Sequence, residues 1–168
     1  IPKPFMLMEI ENQTKVNSYL TFKVGTEEFG AHVSEVLNIL ELQKITKVPK
    51  SPDYMRGVIN LRGLVLPVID TRVKFGMSAT EITPDTCIVV MDLVNEDETV
   101  HIGALVDSVV AVREIEQDQI QSPPSIGKRY QSKFITGVVQ LDDSFILLLD
   151  LIKLFTSVEL KKLKEIEK

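Results

Sequence analysis

Short runs of alternating apolar and polar residues dominate this chain, and such alternation is typical of half-buried β-strands. Residues 18–24 and 27–33 are two of these runs, rich in aromatic and β-branched side chains and separated by Gly25. Together they predict a β-hairpin. A third short apolar run at 36–42 predicts one more strand.

Two further runs surround Arg62-Gly63 and predict a second hairpin over 58–69. Pro67 lacks a backbone donor, so we expect its strand to be an edge strand or to contain a bulge. The preceding residues 44–54 contain two prolines and are predicted to form a loop or a single helical turn.

The rest of the chain repeats this order of runs and then changes character. Strands are predicted at 86–94, 99–106, 109–115, 138–141 and 145–149. From Asp150 onward the apolar residues follow a mostly helical spacing, which predicts a C-terminal helix with the Asp150 carboxylate as its N-cap.

The chain also contains an internal duplication. The segment Gly57–Asp70 matches Gly137–Asp150 at an offset of 80 residues, and upstream Gly30–Val33 matches Gly103–Val106 at an offset of 73. Two copies of a short-strand unit indicate two small β-barrels packed as a pair, because closure removes exposed strand edges. A chance resemblance between two hairpins is the alternative.

The two copies carry different charges at their hairpin tips. One tip is Arg62-Gly63 and the other is Asp142-Asp143. A duplicated scaffold with tips of opposite charge is suited to binding two unlike partners. The simpler interpretation is that both tips are solvated turns.

Composition narrows the class of protein. The 168 residues are 44% hydrophobic and 26% charged, which is an ordinary globular balance. A net charge of −5 argues against broad nucleic-acid binding, which needs a concentrated basic surface. A single cysteine cannot form an internal disulfide, which favours a reducing cytosol. No apolar run approaches the roughly 20 residues of a membrane span.

Residue types that carry chemistry are sparse. His32 and His101 lie in predicted strands with no further ligand at metal spacing, and Cys87 precedes apolar residues with no base suggested nearby. Asp70 and Asp150, which follow strands at matching repeat positions, are interpreted as helix caps. We therefore predict no catalytic residue, no metal site and no cofactor.

Residues spread in order along the chain resemble the CheW-type chemotaxis coupling protein family. The resemblance covers roughly 17–156, and the segments that carry it are Gly57–Gly63, Pro67–Asp70, Arg72, Phe75-Gly76, Pro49, Pro52, Gly103, Val106-Asp107 and Val109. It implies two SH3-like five-stranded β-barrels packed around a shared core, with a C-terminal helix.

The same resemblance implies a division of the chain. Residues 1–16 are expected to be a flexible N-terminal segment, 17–156 the CheW-like domain of two duplicated halves, and 157–168 the end of the C-terminal helix. The boundary between the halves is expected near 77–86, and exchange of strands between them is allowed.

The implied function is a non-enzymatic adaptor that links the cytoplasmic tip of chemoreceptors to the regulatory domain of the histidine kinase CheA. Such a protein is cytoplasmic and is recruited to the inner face of the membrane through receptors, with neither nucleic-acid binding nor direct membrane insertion. One alternative is a CheW-like module from a receiver-domain fusion protein or from the kinase regulatory region. A different class, a small-molecule-binding barrel or enzyme, predicts a closed polar pocket with converging ionisable groups.

Site residues follow from the resemblance position by position. The residues implied to bind the receptor, in a groove between the barrels and at the hairpin tip, are Val36, Asn38, Ile39, Gly57, Asn60, Arg62, Gly63, Leu105, Val106 and Val109. The residues implied to face the kinase are Val48, Met55 and Arg56.

One position departs from the family pattern. The family commonly has a glutamate where this chain has Asn38, and that acid is positioned to pair with the arginine at 62. A neutral amide is a weaker acceptor than a carboxylate. Glu35 and Glu41 are the candidates to replace it.

Overall fold

The computed structural model describes residues 17–123 and 133–167. The segment 1–16, predicted to be flexible, lies outside these residues, as does 124–132.

Eleven strands make up about half of the described chain. They are β1 (Ser18–Val24), β2 (Glu27–His32), β3 (Val36–Glu41), β4 (Met55–Leu61), β5 (Leu64–Asp70), β6 (Cys87–Asn95), β7 (Glu98–Val106), β8 (Ser108–Glu114), β9 (Ile120–Gln121), β10 (Ile135–Gln140) and β11 (Phe145–Leu149). Short 3-10 helices span Val33–Glu35, Gln117–Gln119 and Leu151–Leu154, and α-helices span Thr71–Lys74 and Ser157–Glu167.

The strands form two sheets. One has the order β8-β1-β2-β11-β10-β9 and the other the order β3-β6-β7-β5-β4. The second sheet has the predicted five strands, whereas the first has a sixth, the two-residue β9. The predicted fold class, mainly β with two packed units and a C-terminal helix, is confirmed.

The two repeat hairpins, β4–β5 and β10–β11, share one register. Val58 pairs with Pro67 and Asn60 with Val65 in the first, and the residues 80 positions later pair in the same way in the second. Each hairpin also has a bulge one residue before the matched segment, between Met55 and Gly57 in the first.

Each sheet contains strands from both copies of the repeat. In the first sheet β11 runs parallel to β2, with Leu148 beside Gly30, and in the second β5 runs parallel to β7, with Val68 beside Gly103. A Cβ atom at Gly103 would lie 2.8 Å from the side chain of Ile88, so this strand needs glycine where the neighbouring side chain crosses it.

The described residues contain three apolar clusters. One lies inside the five-stranded sheet and is built by all five strands, which therefore curve around it. A smaller cluster lies inside the six-stranded sheet, and the largest lies between the sheets and beneath the C-terminal helix. Strand β6 contributes side chains to two of these clusters. Ile88 and Val90 face the inside of its own sheet, while Val89 and Met91 face the shared core between the sheets. This explains its unbroken apolar sequence.

The structure corrects the expectation for the strand that contains Pro67. Strand β5 is an inner strand, between β7 and β4, and the bulge of this pair lies in β4. The missing donor is tolerated because Val58, opposite Pro67, directs its own N–H and C=O outward to Thr46, at 2.8 and 2.9 Å. No ladder hydrogen bond is therefore lost on that side.

The predicted N-cap of the C-terminal helix is also corrected. The Asp150 side chain makes no capping hydrogen bond and precedes a 3-10 helix. The α-helix begins later, where the Thr156 hydroxyl accepts the Glu159 amide at 3.1 Å and the Glu159 carboxylate accepts the Thr156 amide at 2.8 Å. This reciprocal pair is a capping box.

The bulge in β4 predicts a strict requirement for glycine at position 57. Gly57 has φ +148°, and a Cβ there would lie 2.2 Å from the Thr46 carbonyl oxygen. We expect Gly57→Ala to lower the free energy of unfolding by about 3 kcal/mol, measured by urea denaturation. The control is Gly63→Ala, where φ is +88° but no atom lies within 4 Å, with an expected loss of about 1 kcal/mol. Equal losses would contradict this account.

Candidate functional site

The tip of the β4–β5 hairpin is a two-residue turn with both central residues in the left-handed region. Arg62 has φ +53° and Gly63 has φ +88°. Such a primed turn matches the twist of the flanking strands. The Asn60 side chain fixes it further, since its Oδ1 accepts the Gly63 amide at 2.8 Å. Three of the predicted receptor residues thus form one local unit.

Arginine is an unusual choice at this turn position. The left-handed region costs a residue with a Cβ roughly 1–2 kcal/mol, and asparagine, aspartate or glycine would tolerate it better. Arg62 is exposed, and among residues 17–123 and 133–167 it forms no ion pair. The backbone therefore presents a charged side chain to solvent at an energetic cost.

Neither predicted substitute for the family glutamate pairs with Arg62. No ion pair joins Arg62 to Glu35 or Glu41 within the described ranges. The half-buried Asn38 directs its Oδ1 to the Ile39 amide at 2.8 Å, so that oxygen is engaged locally. Arg62 is positioned by its turn alone and not by an acidic neighbour.

Several predicted groove residues are buried. Leu105 and Val106 have no exposed surface, while Val36 and Ile39 are 7% and 5% exposed. Leu105 also faces a different cluster, the inside of the five-stranded sheet, whereas the other three belong to the shared core and the half-buried Val109 packs against it. These side chains do not line one open groove in this conformation. They belong to the apolar clusters beneath the exposed residues of the same strands.

Sequence reasoning missed two exposed apolar residues, one on β3 and one on β5. Leu37, 43% exposed, is displaced outward by the bulge between Val36 and Asn38. Val65, 39% exposed, is paired with Asn60 beside the arginine tip. Strand alternation was the available signal, because each residue directly neighbours an inward-facing one.

The predicted kinase-facing residues have three different environments. Val48 is 37% exposed, whereas Met55 is only 6% exposed. Arg56 is engaged inside the protein, with its Nη1 at 3.3 Å from Asp70 and 3.2 Å from the Thr80 carbonyl oxygen. Residues 47–55 fold around a concavity of about 500 Å³ with Met55 in its wall. We call this segment the proline loop.

Asp70 organises the chain that follows β5. Its carboxylate has no exposed surface and accepts the Arg72 and Val73 amides, so the predicted helix cap is present. It also accepts the Thr80 amide at 3.0 Å and the Thr80 hydroxyl at 2.7 Å. With Arg56 added, this buried charge is fully surrounded by donors, as such a group requires.

Arg72 connects the two sheets. Its guanidinium makes two parallel hydrogen bonds to Asp107, both 2.9 Å, and Asp107 also accepts the Gly25 amide from the β1–β2 turn at 2.6 Å. The hydrogen bond to Asp107 raises the pKa of Arg72 above its usual value. Bidentate pairs of this kind fix orientation as well as adding energy.

Burial and charge act together on Glu35, in the 3-10 turn between β2 and β3. Burial, and secondarily the charge of Asp150, raise the pKa of Glu35 to about 7. In the part of the chain that the structure describes, no three His, Cys, Asp or Glu residues are grouped so as to hold a metal ion. No helix among those residues is both long enough and apolar enough to cross a bilayer.

Comparison with known proteins settles the family. The family model described as the CheW-like domain matches residues 18–159. This chain belongs to the CheW-like family. The resemblance drawn from its residues is confirmed.

Relatives and a solved structure agree with the assignment to the CheW-like family. Chemotaxis protein CheW of Klebsiella aerogenes is 29% identical over 160 residues, covering 95% of this chain and 94% of that protein. Chemotaxis protein CheW of Treponema pallidum is 31% identical over 145 residues, covering 86% and 85%. The crystal structure of the scaffolding protein TtCheW from Thermoanaerobacter tengcongensis is similar with a TM-score of 0.69 and 28% identity, covering 79% of this chain and 88% of that chain.

The strain at the arginine tip predicts an unusual stability effect. We expect Arg62→Gly to keep or raise the free energy of unfolding, by up to roughly 1 kcal/mol, because glycine adopts this backbone without a steric penalty. Arg62→Ala, which retains the penalty, is expected to be neutral. Both are measured by urea denaturation. A loss above about 1 kcal/mol in either variant would show that the side chain stabilises the fold.

The raised pKa of Glu35 predicts pH-dependent stability. A carboxyl whose folded pKa of about 7 exceeds its unfolded value near 4.5 favours folding while protonated, so its stabilising contribution is lost as pH rises between them. Since the group is partly exposed, Glu35→Gln is expected to be more stable than the native chain by about 1–2 kcal/mol at pH 8, and equally stable below pH 4.5. Thermal unfolding across pH measures this. Asp150→Asn should remove part of the difference, and parallel pH profiles for native chain and Glu35→Gln would contradict it.

Proposed function

We propose that this chain is a chemotaxis coupling adaptor that joins chemoreceptors to the histidine kinase CheA. The observation that carries the proposal is the family match over 18–159, supported by relatives named chemotaxis protein CheW. The chain acts as a scaffold and not as a catalyst. It works in the cytoplasm, at the inner face of the membrane, where receptors hold it.

The receptor contact is proposed at the Arg62 hairpin tip and the exposed strand positions. Arg62 supplies a charge on a rigid turn, and Asn60 holds that turn in shape. Val65 and Leu37 add exposed apolar surface, suited to the apolar face of a helical hairpin, with Asn38 beside Leu37. The predicted residues that support this surface from beneath are Val36, Ile39, Gly57, Leu105, Val106 and Val109.

The kinase contact is proposed at the proline loop. Val48 supplies exposed apolar surface, Met55 forms part of the wall of the concavity, and Arg56 anchors the start of β4 to Asp70. These are the three residues that the family resemblance implied. Val48 is proposed to contact the kinase directly, whereas Met55 and Arg56 hold the loop and the start of β4 in place.

Signal transfer from the receptor contact to the kinase contact requires that the two sheets move together as a rigid unit. The Arg72–Asp107 pair joins the sheets. The Phe75 ring stacks on Phe134 and packs at a tilt of 52° against Phe29, with ring centroids 4.9 Å apart in both contacts. A receptor contact that differs in energy between two kinase states then biases the kinase. Typical couplings of about 1–3 kcal/mol are within reach of a few such contacts.

The proposal predicts that Arg62→Ala weakens receptor binding without unfolding the protein. We expect about a tenfold higher Kd for the cytoplasmic tip fragment of a chemoreceptor, because a charge-assisted contact is lost, and an unchanged Kd for the kinase regulatory domain. Calorimetric titration measures both. Lys161→Ala removes the same charge from an exposed helical position and serves as the matched control.

Failure of the native chain to bind either partner would overturn the proposed function. Equal receptor binding by native chain and Arg62→Ala would overturn the assignment of the tip. A phosphotransfer assay with receptor, kinase and adaptor provides the second readout, in which Arg62→Ala should reduce receptor control of the kinase.

A further inference from the structure

Lys74 lies at the centre of a shielded cluster that neither repeat nor motif indicated. It ends the short helix after β5, and its Nζ donates to both carboxylate oxygens of Glu159 at 3.1 Å. The same Nζ lies 4.3 Å from the centroid of the Tyr54 ring and 4.9 Å from that of Phe155. One ammonium group thus contacts the end of the loop before β4 and the segment 155–159 at the start of the C-terminal helix.

The Lys74–Glu159 ion pair is better shielded from solvent than an ordinary surface ion pair. The side chains of Lys74 and Glu159 are 13% and 26% exposed. Burial alone would raise the pKa of Glu159, but the Thr156 amide and Lys74 outweigh it, so the pKa is lowered and the carboxylate stays charged. Partial shielding together with two aromatic faces strengthens such a contact relative to one in open solvent.

Tyr54 connects this cluster to the proline loop. It lies at the C-terminal end of the loop, where its carbonyl accepts the Asp70 amide at 2.7 Å, and its ring meets Phe155 edge-on at 6.0 Å. Burial and the nearby Glu159 carboxylate raise the pKa of Tyr54 to about 12. The C-terminal helix therefore reaches the end of the loop through Glu159 and through Phe155, which precedes the helix.

The proline loop has few other anchors. Its N-terminal end is held where Thr46 bridges to Val58, at 2.8 and 2.9 Å. Within the loop, the Ser51 hydroxyl and amide both reach the Val48 carbonyl oxygen, at 2.8 and 3.4 Å, and most of its residues are exposed. The shape of the loop thus depends on its two ends, and the Tyr54 end is the one that the C-terminal helix holds.

We propose that Glu159 and Lys74 are positioning residues for the contact made by the proline loop, so that the C-terminal helix controls how well that loop binds its partner. This inference rests on the proposed function in taking the partner to be the kinase regulatory domain. The helix makes no contact with the partner; it acts by holding Tyr54 and therefore the loop.

The test uses Glu159→Gln in the full chain. Glutamine keeps the size of the side chain and serves equally in a capping box, so the helix start is retained while the charge facing Lys74 is lost. Glu165→Gln makes the same chemical change at an exposed position of the same helix and is the matched control. Lys74→Arg, which keeps a cation over the aromatic rings, is the conservative variant, and Lys74→Met removes the charge.

Two binding measurements and one exchange measurement are made on each variant. We expect Glu159→Gln and Lys74→Met to raise the Kd for the kinase regulatory domain five- to tenfold and to leave the Kd for the receptor tip within twofold. Hydrogen exchange of the Met55 amide, bonded to the Pro52 carbonyl at 3.0 Å, should become at least threefold faster. Glu165→Gln and Lys74→Arg should resemble the native chain in all three.

The outcomes separate this inference from the proposed function. Native loop exchange and native kinase affinity in Glu159→Gln would overturn the inference alone. Equal loss of kinase and receptor affinity would also overturn it, because that pattern indicates general destabilisation. If the native chain does not bind the kinase domain, the proposed function fails, while faster loop exchange in Glu159→Gln would still show that the helix holds the loop.

Discussion

The hydrogen bonds to the buried carboxylate of Asp70 determine how the chain after β5 is placed against the two sheets and the C-terminal helix. A carboxylate with no exposed surface is costly unless donors surround it, and here Arg56, Arg72, Val73 and Thr80 all supply them. To satisfy this charge, the chain after β5 must turn into a short helix and return at 80. That turn fixes the direction in which Arg72 and Lys74 leave the helix, and these two side chains tie the sheets and the C-terminal helix together.

The second copy of the repeat shows what happens without that constraint. Asp150 occupies the position equivalent to Asp70, but its side chain caps nothing and its main neighbour is Lys153, 3.7 Å away. The chain there forms a 3-10 helix and delays the α-helix to Ser157. The two hairpins share one strand register, but only the first copy uses its final aspartate as a helix cap. The duplicated hairpin has thus kept its backbone, while the segments that follow it have different structures.

Much of the fold could be predicted from the sequence because alternation, turn residues and the duplication are local signals. The hairpin around Arg62-Gly63 is an example, since its turn chemistry is written in adjacent residues. Burial could not be predicted in the same way. Leu105 and Val106 face different cores because β7 is covered on both sides, which depends on strands distant in sequence. The Lys74–Glu159 contact spans 85 positions and leaves no local pattern.

The parallel pairing of β2 with β11 has a consequence for how the protein is made. Leu148 must reach Gly30 before the first sheet is complete, so the outer edge of β2 stays without its partner strand until β11 has been synthesised. Contacts of such long separation slow folding and leave sheet edges uncovered in the meantime. Truncation before residue 145 would remove β11, the strand that pairs with both β2 and β10, and would leave these two strands unconnected.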